Sequence, residues 1–374
     1  MNQYFATVAR GLEPLVVKEL EQLGAKEVEP GFCGAAFKGD RALLYKVNLW
    51  ARLPFRILQQ LDEFDCETSD DLFLGVQRTD WSQYLRPDNT LAVTATGKTG
   101  ELNHTHFTSL QVKNAIVHQQ TRDFGERSDV DTQSPDVRIN VHLRDDRATL
   151  SLDSSGDSLH RRGYRPAVGA APLKESLAAA LINLSGWQPE QAFFDPLCGS
   201  GTLPLEAGMR SLQIAPGLFR ERFGFETWLD YDDDLWESLI AEAENQQREE
   251  LVAFVGGSDR DPNVLIQAHS NAQQCGIEHL VKFQQRELAN VEAPADSGIL
   301  ICNPPYGERL GTDTDLGAFY KLLGSILKQR FKGWTAYVLS GNKALSRNIG
   351  LRSATRTPVY NGALLCQFMK YELY

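Results

Sequence analysis

The chain has 374 residues, enough for two or three domains with proper cores, and its 42% hydrophobic and 23% charged content is ordinary for a globular protein. Its formal net charge of −11 excludes a generally basic nucleic-acid coat. Neither half is basic: residues 1–165 carry 20 Lys and Arg against 24 Asp and Glu, so any nucleic-acid binding must use a local patch.

Residues 3–10 read as a first strand, ended by Gly11. Apolar residues at Leu12, Leu15, Val16, Leu20 and Leu23 have helical spacing, with Gly24 as C-cap. Residues 32–38 read as a returning strand and Leu43–Leu61 as a second helix. Further on, Leu91–Thr96 alternates as a half-buried strand, Ser109–Gln120 is helical, and Gly125–Pro135 is loop-like. Val137–Leu143 pairs with Ala148–Leu152 across a charged turn. From residue 173 helix and strand alternate: helix 174–186, strand 192–197, helix 201–212, strand 252–258, helix 262–275, strands 281–285 and 297–302, helix 315–330, strand 334–340. That rhythm predicts an open, mostly parallel doubly wound α/β sheet. Asn361-Gly362 then signals a closing hairpin. The segment Ala215–Glu250 reads as an inserted loop plus an acidic amphipathic helix. The expected divisions are an α+β module over 1–45, a second module of mixed strands and helices over 46–155, a linker over 156–172 and the doubly wound domain over 173–374.

The six cysteines are scattered without a Cys-x-x-Cys, and the seven histidines show no ligand spacing, so reduced buried thiols and no metal are expected. His104 and His106 read as a polar loop or strand. No apolar run approaches a membrane helix and no leader is evident, which points to the cytoplasm.

Two motifs carry chemistry. The first, Asp195-Pro196-Leu197-Cys198-Gly199-Ser200-Gly201-Thr202, follows a strand and opens a helix. Its glycines permit a tight turn and close approach of a ligand to bare backbone. It is neither G-x-G-x-x-G nor a P-loop, because no lysine follows the glycines. Asp195 would repel phosphate and attract an ammonium or sulfonium, which favours S-adenosylmethionine. Asp259, followed by Arg260, ends the next strand and is placed to accept ribose hydroxyls, with Asp261 as a competitor. Glu287 follows the third strand and could accept from an adenine amine.

The second motif is Asn303-Pro304-Pro305-Tyr306, after the apolar run Gly298–Cys302. Two prolines cannot donate to a ladder, so the strand stops at Asn303. The Asn303 side-chain oxygen and the Pro304 carbonyl could accept the two hydrogens of an exocyclic base amine, and Tyr306 could stack on the ring. Arg161, Arg162 and Arg165 are the candidate phosphate contacts.

With both motifs in place the chain resembles a class I S-adenosylmethionine-dependent methyltransferase. Phe5–Leu20, Asp71–Gln77, Asp153–Arg165, Ala171–Ala180, Ala215–Arg220 and Asn303–Leu310 extend the likeness to THUMP-containing RNA methyltransferases of the RlmL family. The resemblance implies a ferredoxin-like start, a THUMP domain and a Rossmann-like domain with a mostly parallel seven-stranded sheet. It implies methylation of a guanine N2 amine in 23S rRNA (conventionally guanine 2445), with RNA, naked or in a pre-ribosomal particle, as partner. Glu287 departs from the aspartate common at its position. The guanine-N7 half of the fused RlmKL form has no counterpart in these residues, so that activity is not expected. Guanine-N2 methylation of tRNA, adenine-N6 methylation of RNA or DNA, and an RNA-binding assembly factor remain alternatives.

Overall fold

A computed structural model describes residues 1–165, 173–306 and 315–374. The end of the expected linker, 166–172, and residues 307–310 of the Asn303–Leu310 stretch lie outside the described residues. The chain resolves into two compact units: residues 1–8, 16–159 and 221–240, and residues 9–15, 160–220 and 241–374.

The first unit holds one eight-stranded sheet. Its elements in chain order are β1 (Asn2–Thr7), α1 (Glu13–Leu23), β2 (Lys26–Gly31), β3 (Gly34–Gly39), α2 (Arg41–Trp50), β4 (Arg56–Asp65), α3 (Ser69–Arg78), β5 (Thr90–Gly97), α4 (Thr105–Phe124), β6 (Asp129–Val130), β7 (Val137–Arg144) and β8 (Arg147–Asp153). The strand order is β2-β3-β1-β4-β8-β7-β5-β6. The predicted helix over 43–61 is corrected here. It ends at Trp50, and β4 follows, paired with β1 and β8. Pro54 has no N–H and disfavours helical backbone at Leu53, so the chain leaves α2 and re-enters extended. The expected boundary at 45/46 falls inside α2. His104 lies in the loop as the N-cap of α4, and His106 is inside that helix instead of in a loop or strand. β7 and β8 join through Asp145 (φ 50°) and Asp146 (φ 56°), two left-handed residues whose twist matches a two-residue hairpin.

Residues 221–240 contribute aromatic side chains to this unit. Phe225 stacks on Tyr45 with ring centroids 4.2 Å apart, and the Trp236 ring meets both edge-on.

The second unit is a doubly wound α/β domain. It contains α5 (Glu175–Ser185), β9 (Ala192–Asp195), α6 (Thr202–Ser211), β10 (Val255–Asp259), α8 (Pro262–Gln274), β11 (Lys282–Gln285), β12 (Gly298–Cys302), α9 (Leu316–Arg330), β13 (Thr335–Ser340), α10 (Lys343–Arg347), β14 (Thr355–Asn361) and β15 (Leu364–Glu372); α7 (Asp233–Asn245) precedes β10 in the chain. The seven strands run in the order β11-β10-β9-β12-β13-β15-β14, and β15 is antiparallel to both its neighbours. Successive side chains of a strand face opposite sides. Phe193 and Ile301 therefore join Leu181, Leu205 and Leu265 in one buried cluster. Phe194, Leu300 and Cys302 join Leu323 and Leu327 of α9 in the other. Helices thus cover both faces, and the carboxyl ends of β10, β9 and β12 lie side by side where ligands of such folds bind.

Candidate active site

Three adjacent strand ends build the site. β9 stops at Asp195 because Pro196 cannot continue the ladder. Asp195 is 2% exposed and its Oδ1 accepts from the Leu197 N–H at 2.9 Å. Burial pushes its carboxyl well above the usual range and the nearby Asp259 charge adds to that, against the Leu197 hydrogen bond.

The loop then turns on Gly199 (φ 53°) and Gly201 (φ 83°), which caps α6. A Cβ on Gly201 would lie 2.7 Å from the Phe283 ring, so only glycine fits there. A Cβ on Gly199 would meet nothing within 4 Å: that side of the loop borders open space. The Cys198 N–H donates to the Ser258 carbonyl across to β10. A side chain at Gly257 would lie 2.6 Å from the Cys198 Cβ, so the loop crosses β10 over bare backbone. Cys198 is buried, and burial followed by Asp195 and Asp259 raises its thiol well above its ordinary value, which removes it as a nucleophile.

Asp259 closes this arrangement. Its Oδ2 accepts from the Gly199 N–H at 3.0 Å and its Oδ1 from the Asp261 N–H at 3.0 Å. Each carboxylate oxygen keeps a second lone pair for a ligand hydroxyl. Asp261 is spent as the N-cap of α8. Arg260 and Glu287 are exposed, and Glu287 immediately precedes the short turn Leu288–Asn290.

On the other side of β9, β12 pairs in parallel through Gly298–Ala192, Ile299–Phe193 and Leu300–Phe194. β12 ends at Cys302, so Asn303 follows the carboxyl end of the strand that neighbours β9. The Asn303 side-chain oxygen is buried and has no hydrogen-bond partner among the described residues. Pro304 is buried and Pro305 half-buried. The Tyr306 hydroxyl accepts from the Asn361 amide at 2.8 Å and lies 3.7 Å from the Cys366 Sγ. Its ring runs beside Gly341, where a Cβ would lie 3.1 Å away.

The arginine cluster behaves differently from expectation, and the reading of all three as phosphate contacts is corrected. Arg162 is 2% exposed and lies 3.5 Å from Glu206, itself fully buried. Arg165 donates to the Thr202 hydroxyl at 2.7 Å and to the Leu173 carbonyl at 3.0 Å, beside Glu175. Arg162 is tied to the middle of α6 and Arg165 to the starts of α5 and α6, instead of both facing solvent. Arg161 alone is exposed. Asn361 was read only as a hairpin residue and Gly257 was not read as part of the site; the Gly256-Gly257 pair at a strand end was the available sign of a close crossing.

Profile comparison matches residues 162–370 to the "RMKL-like, methyltransferase domain", 66–153 to the THUMP domain and 3–58 to the "RlmL ferredoxin-like domain". The chain belongs to the RMKL-like methyltransferase family. It is 54% identical to the "Putative RNA methyltransferase slr0064" of Synechocystis, over 99% of this chain and 97% of that one. It is 41% identical to the ribosomal RNA large subunit methyltransferase K/L of Syntrophotalea carbinolica, covering 99% of this chain but 53% of that protein, so it spans about half the length of its K/L relatives. The crystal structure of SMU.472, solved with SAH, superposes with a TM-score of 0.89 at 32% identity, over 100% of this chain and 98% of that one. Among the described residues no group of three or more His, Cys, Asp or Glu is placed to hold a metal, and no helix is long and apolar enough to cross a membrane.

Proposed function

We propose that this RMKL-like methyltransferase transfers a methyl group from S-adenosylmethionine to the exocyclic N2 amine of a guanine in 23S rRNA. One observation carries the reading: a buried, unpartnered acceptor, the Asn303 side-chain oxygen, at the end of the strand beside the glycine loop. A buried polar atom without a partner costs about 1–3 kcal/mol, so it is kept for a ligand donor. The names of the K/L and slr0064 relatives and the THUMP match support RNA as the substrate class.

The residues at the loop fit the cofactor. The buried Asp195 carboxylate needs a cation to stay ionised, Gly199 borders open space, and Asp259 retains acceptor capacity for a ribose. Asp195, Pro196, Cys198, Gly199, Gly201, Thr202 and Asp259 would form its methionine and ribose cradle, with Arg260 and Glu287 at the adenine side. When bound, it supplies a methyl group on a sulfonium.

Asn303 and the Pro304 carbonyl each accept one N–H of the amine and turn its nitrogen toward that methyl. The N2 lone pair is delocalised into the ring, so orientation matters. As positive charge develops on nitrogen the two acceptors bind it more tightly, which favours the transition state over the ground state. Tyr306 stacks on the flipped base, offsetting part of the few kcal/mol that unstacking costs. Its hydroxyl bond to Asn361 fixes the ring in advance.

The test is mass analysis of nucleosides from 23S rRNA of a strain lacking the gene, before and after complementation. Loss of one N2-methylguanosine, restored by the wild-type gene and not by Asn303→Ala, is expected. An rRNA with unchanged methylation overturns the reading; loss of N6-methyladenine or of a tRNA mark would transfer the activity to that base.

A further inference from the structure

The second unit contains a segment whose charge opposes that of the whole chain. Residues 316–371 carry nine Lys and Arg and no Asp or Glu, which leaves 29 basic against 49 acidic residues elsewhere. Arg330 pairs with Glu292 and Lys370 with Glu372. Lys321, Lys328, Lys332, Lys343, Arg347 and Arg352 are exposed and make no ion pair with a described residue.

These cations are laid out in order. Gly341 borders the Tyr306 ring, and Asn342 caps α10, whose two ends carry Lys343 and Arg347. Asn348 follows, its amide 3.2 Å from where a Cβ on Gly317 would lie. There begins a groove of about 610 Å³ along α9, lined by Lys321, Ser325, Lys328 and Asn348 among others, with Asp315 at its head. Gly317, Lys321, Gly324 and Lys328 recur at helical spacing on one face of α9. The groove exists because the glycines let the 348–350 backbone approach: a Cβ on Gly324 would lie 1.7 Å from the Ile349 carbonyl oxygen. The two lysines stand seven residues, or about 10 Å, apart along the helix.

We infer that this tract, from Lys343 and Arg347 on α10 to Lys321 and Lys328 in the α9 groove, holds the phosphates of the RNA strand that flanks the target base. The inference rests on the RNA reading above and deepens it. A chain of net charge −11 cannot attract RNA globally, so it needs a local positive surface, and this one begins beside the ring proposed to stack on the base. A flipped base leaves its neighbours' backbone at the pocket rim, where lysine ammonium groups serve as adaptable phosphate contacts.

The experiment compares the full-length wild type with the variant Lys321→Gln/Lys328→Gln/Lys343→Gln/Arg347→Gln. Binding to a protein-free large-subunit rRNA transcript is measured across a salt series, alongside S-adenosylmethionine affinity and thermal unfolding. The variant is expected to bind on the order of tenfold or more weakly and to lose about three from the slope of log K against log salt, about 0.7 for each of the four contacts removed. Cofactor affinity and unfolding temperature should stay at wild-type values. Replacing the three lysines by arginine and Arg347 by lysine should retain binding. Wild-type slope and affinity in the glutamine variant overturn the tract while leaving the RNA reading in place, as does loss of binding in the charge-preserving variant. A wild-type protein that neither binds nor methylates the transcript overturns the RNA reading, and the tract with it.

Discussion

Replacing Arg162 by methionine separates a structural from a nucleic-acid role for the arginine cluster. The guanidinium and the Glu206 carboxylate are 3.5 Å apart, with side chains 2% and 0% exposed, and the Tyr164 hydroxyl donates to the same carboxylate oxygen at 3.4 Å. Removing one partner leaves a buried charge uncompensated, which costs about 3–5 kcal/mol. For a unit of roughly 200 residues each kcal/mol moves Tm by about 2–4 °C, so Arg162→Met should lower the transition by about 6–20 °C. The double variant Arg162→Met/Glu206→Met removes both charges and should recover most of the loss, the remainder being the Tyr164 acceptor. RNA affinity, measured well below the variant's transition, should equal that of the wild type. Thermal denaturation of the two single variants and the double variant completes the cycle. A Tm shift of under about 2 °C together with weakened RNA binding would refute the reasoning and return Arg162 to the phosphate contacts.

Other outcomes follow from the site. Asn303→Ala should reduce methyl transfer by about a hundredfold or more, the scale of losing one preorganised polar contact to developing charge; calorimetry should show cofactor affinity within about twofold of wild type, and a comparable loss of binding would make Asn303 a cofactor residue only. Asp195 gives a pH dependence. Its folded-state pKa is raised, so the proton it holds stabilises the free protein at low pH, and that contribution fades as pH rises through the raised value. A bound cation lowers that pKa, so cofactor affinity should rise with pH up to the raised value and level off above it, with proton release on binding. Asp195→Asn should flatten the profile, and a wild-type affinity independent of pH would remove the cation role. Tyr306→Phe loses the 2.8 Å bond to Asn361 and should cost about 0.5–1.5 kcal/mol in chemical denaturation while lowering turnover more than it lowers cofactor affinity.

Much of the architecture was legible because its signals are local. Proline after Asp195 and after Asn303 ended two strands, Asn361-Gly362 turned the last hairpin, and buried apolar runs marked the parallel strands. The misreadings arose where the deciding partner is distant. Ile57, Leu58 and Leu61 satisfy a helical period as well as a strand, and only pairing of β4 with β1 and β8 decides between them. β2 was missed because its residues, apart from a half-buried Val28, are exposed and give no alternation. Arg162 looked available because Glu206, which neutralises it, lies 44 residues further on. At the site, composition and spacing pointed to the loop and its acids, but not to Gly257 as the place where the loop crosses a neighbouring strand.

The grouping of residues 221–240 with the first unit bears on how this enzyme can be cut and assembled. The aromatic lid over Tyr45 is encoded beyond the glycine loop, inside the stretch matched by the methyltransferase domain. A ribosome therefore finishes the THUMP segment before the Phe225 and Trp236 rings that complete its unit exist. Severing the gene at residue 160 would strip one product of its own covering and leave the other carrying orphaned aromatics, so the order of the chain does not divide cleanly into the two units.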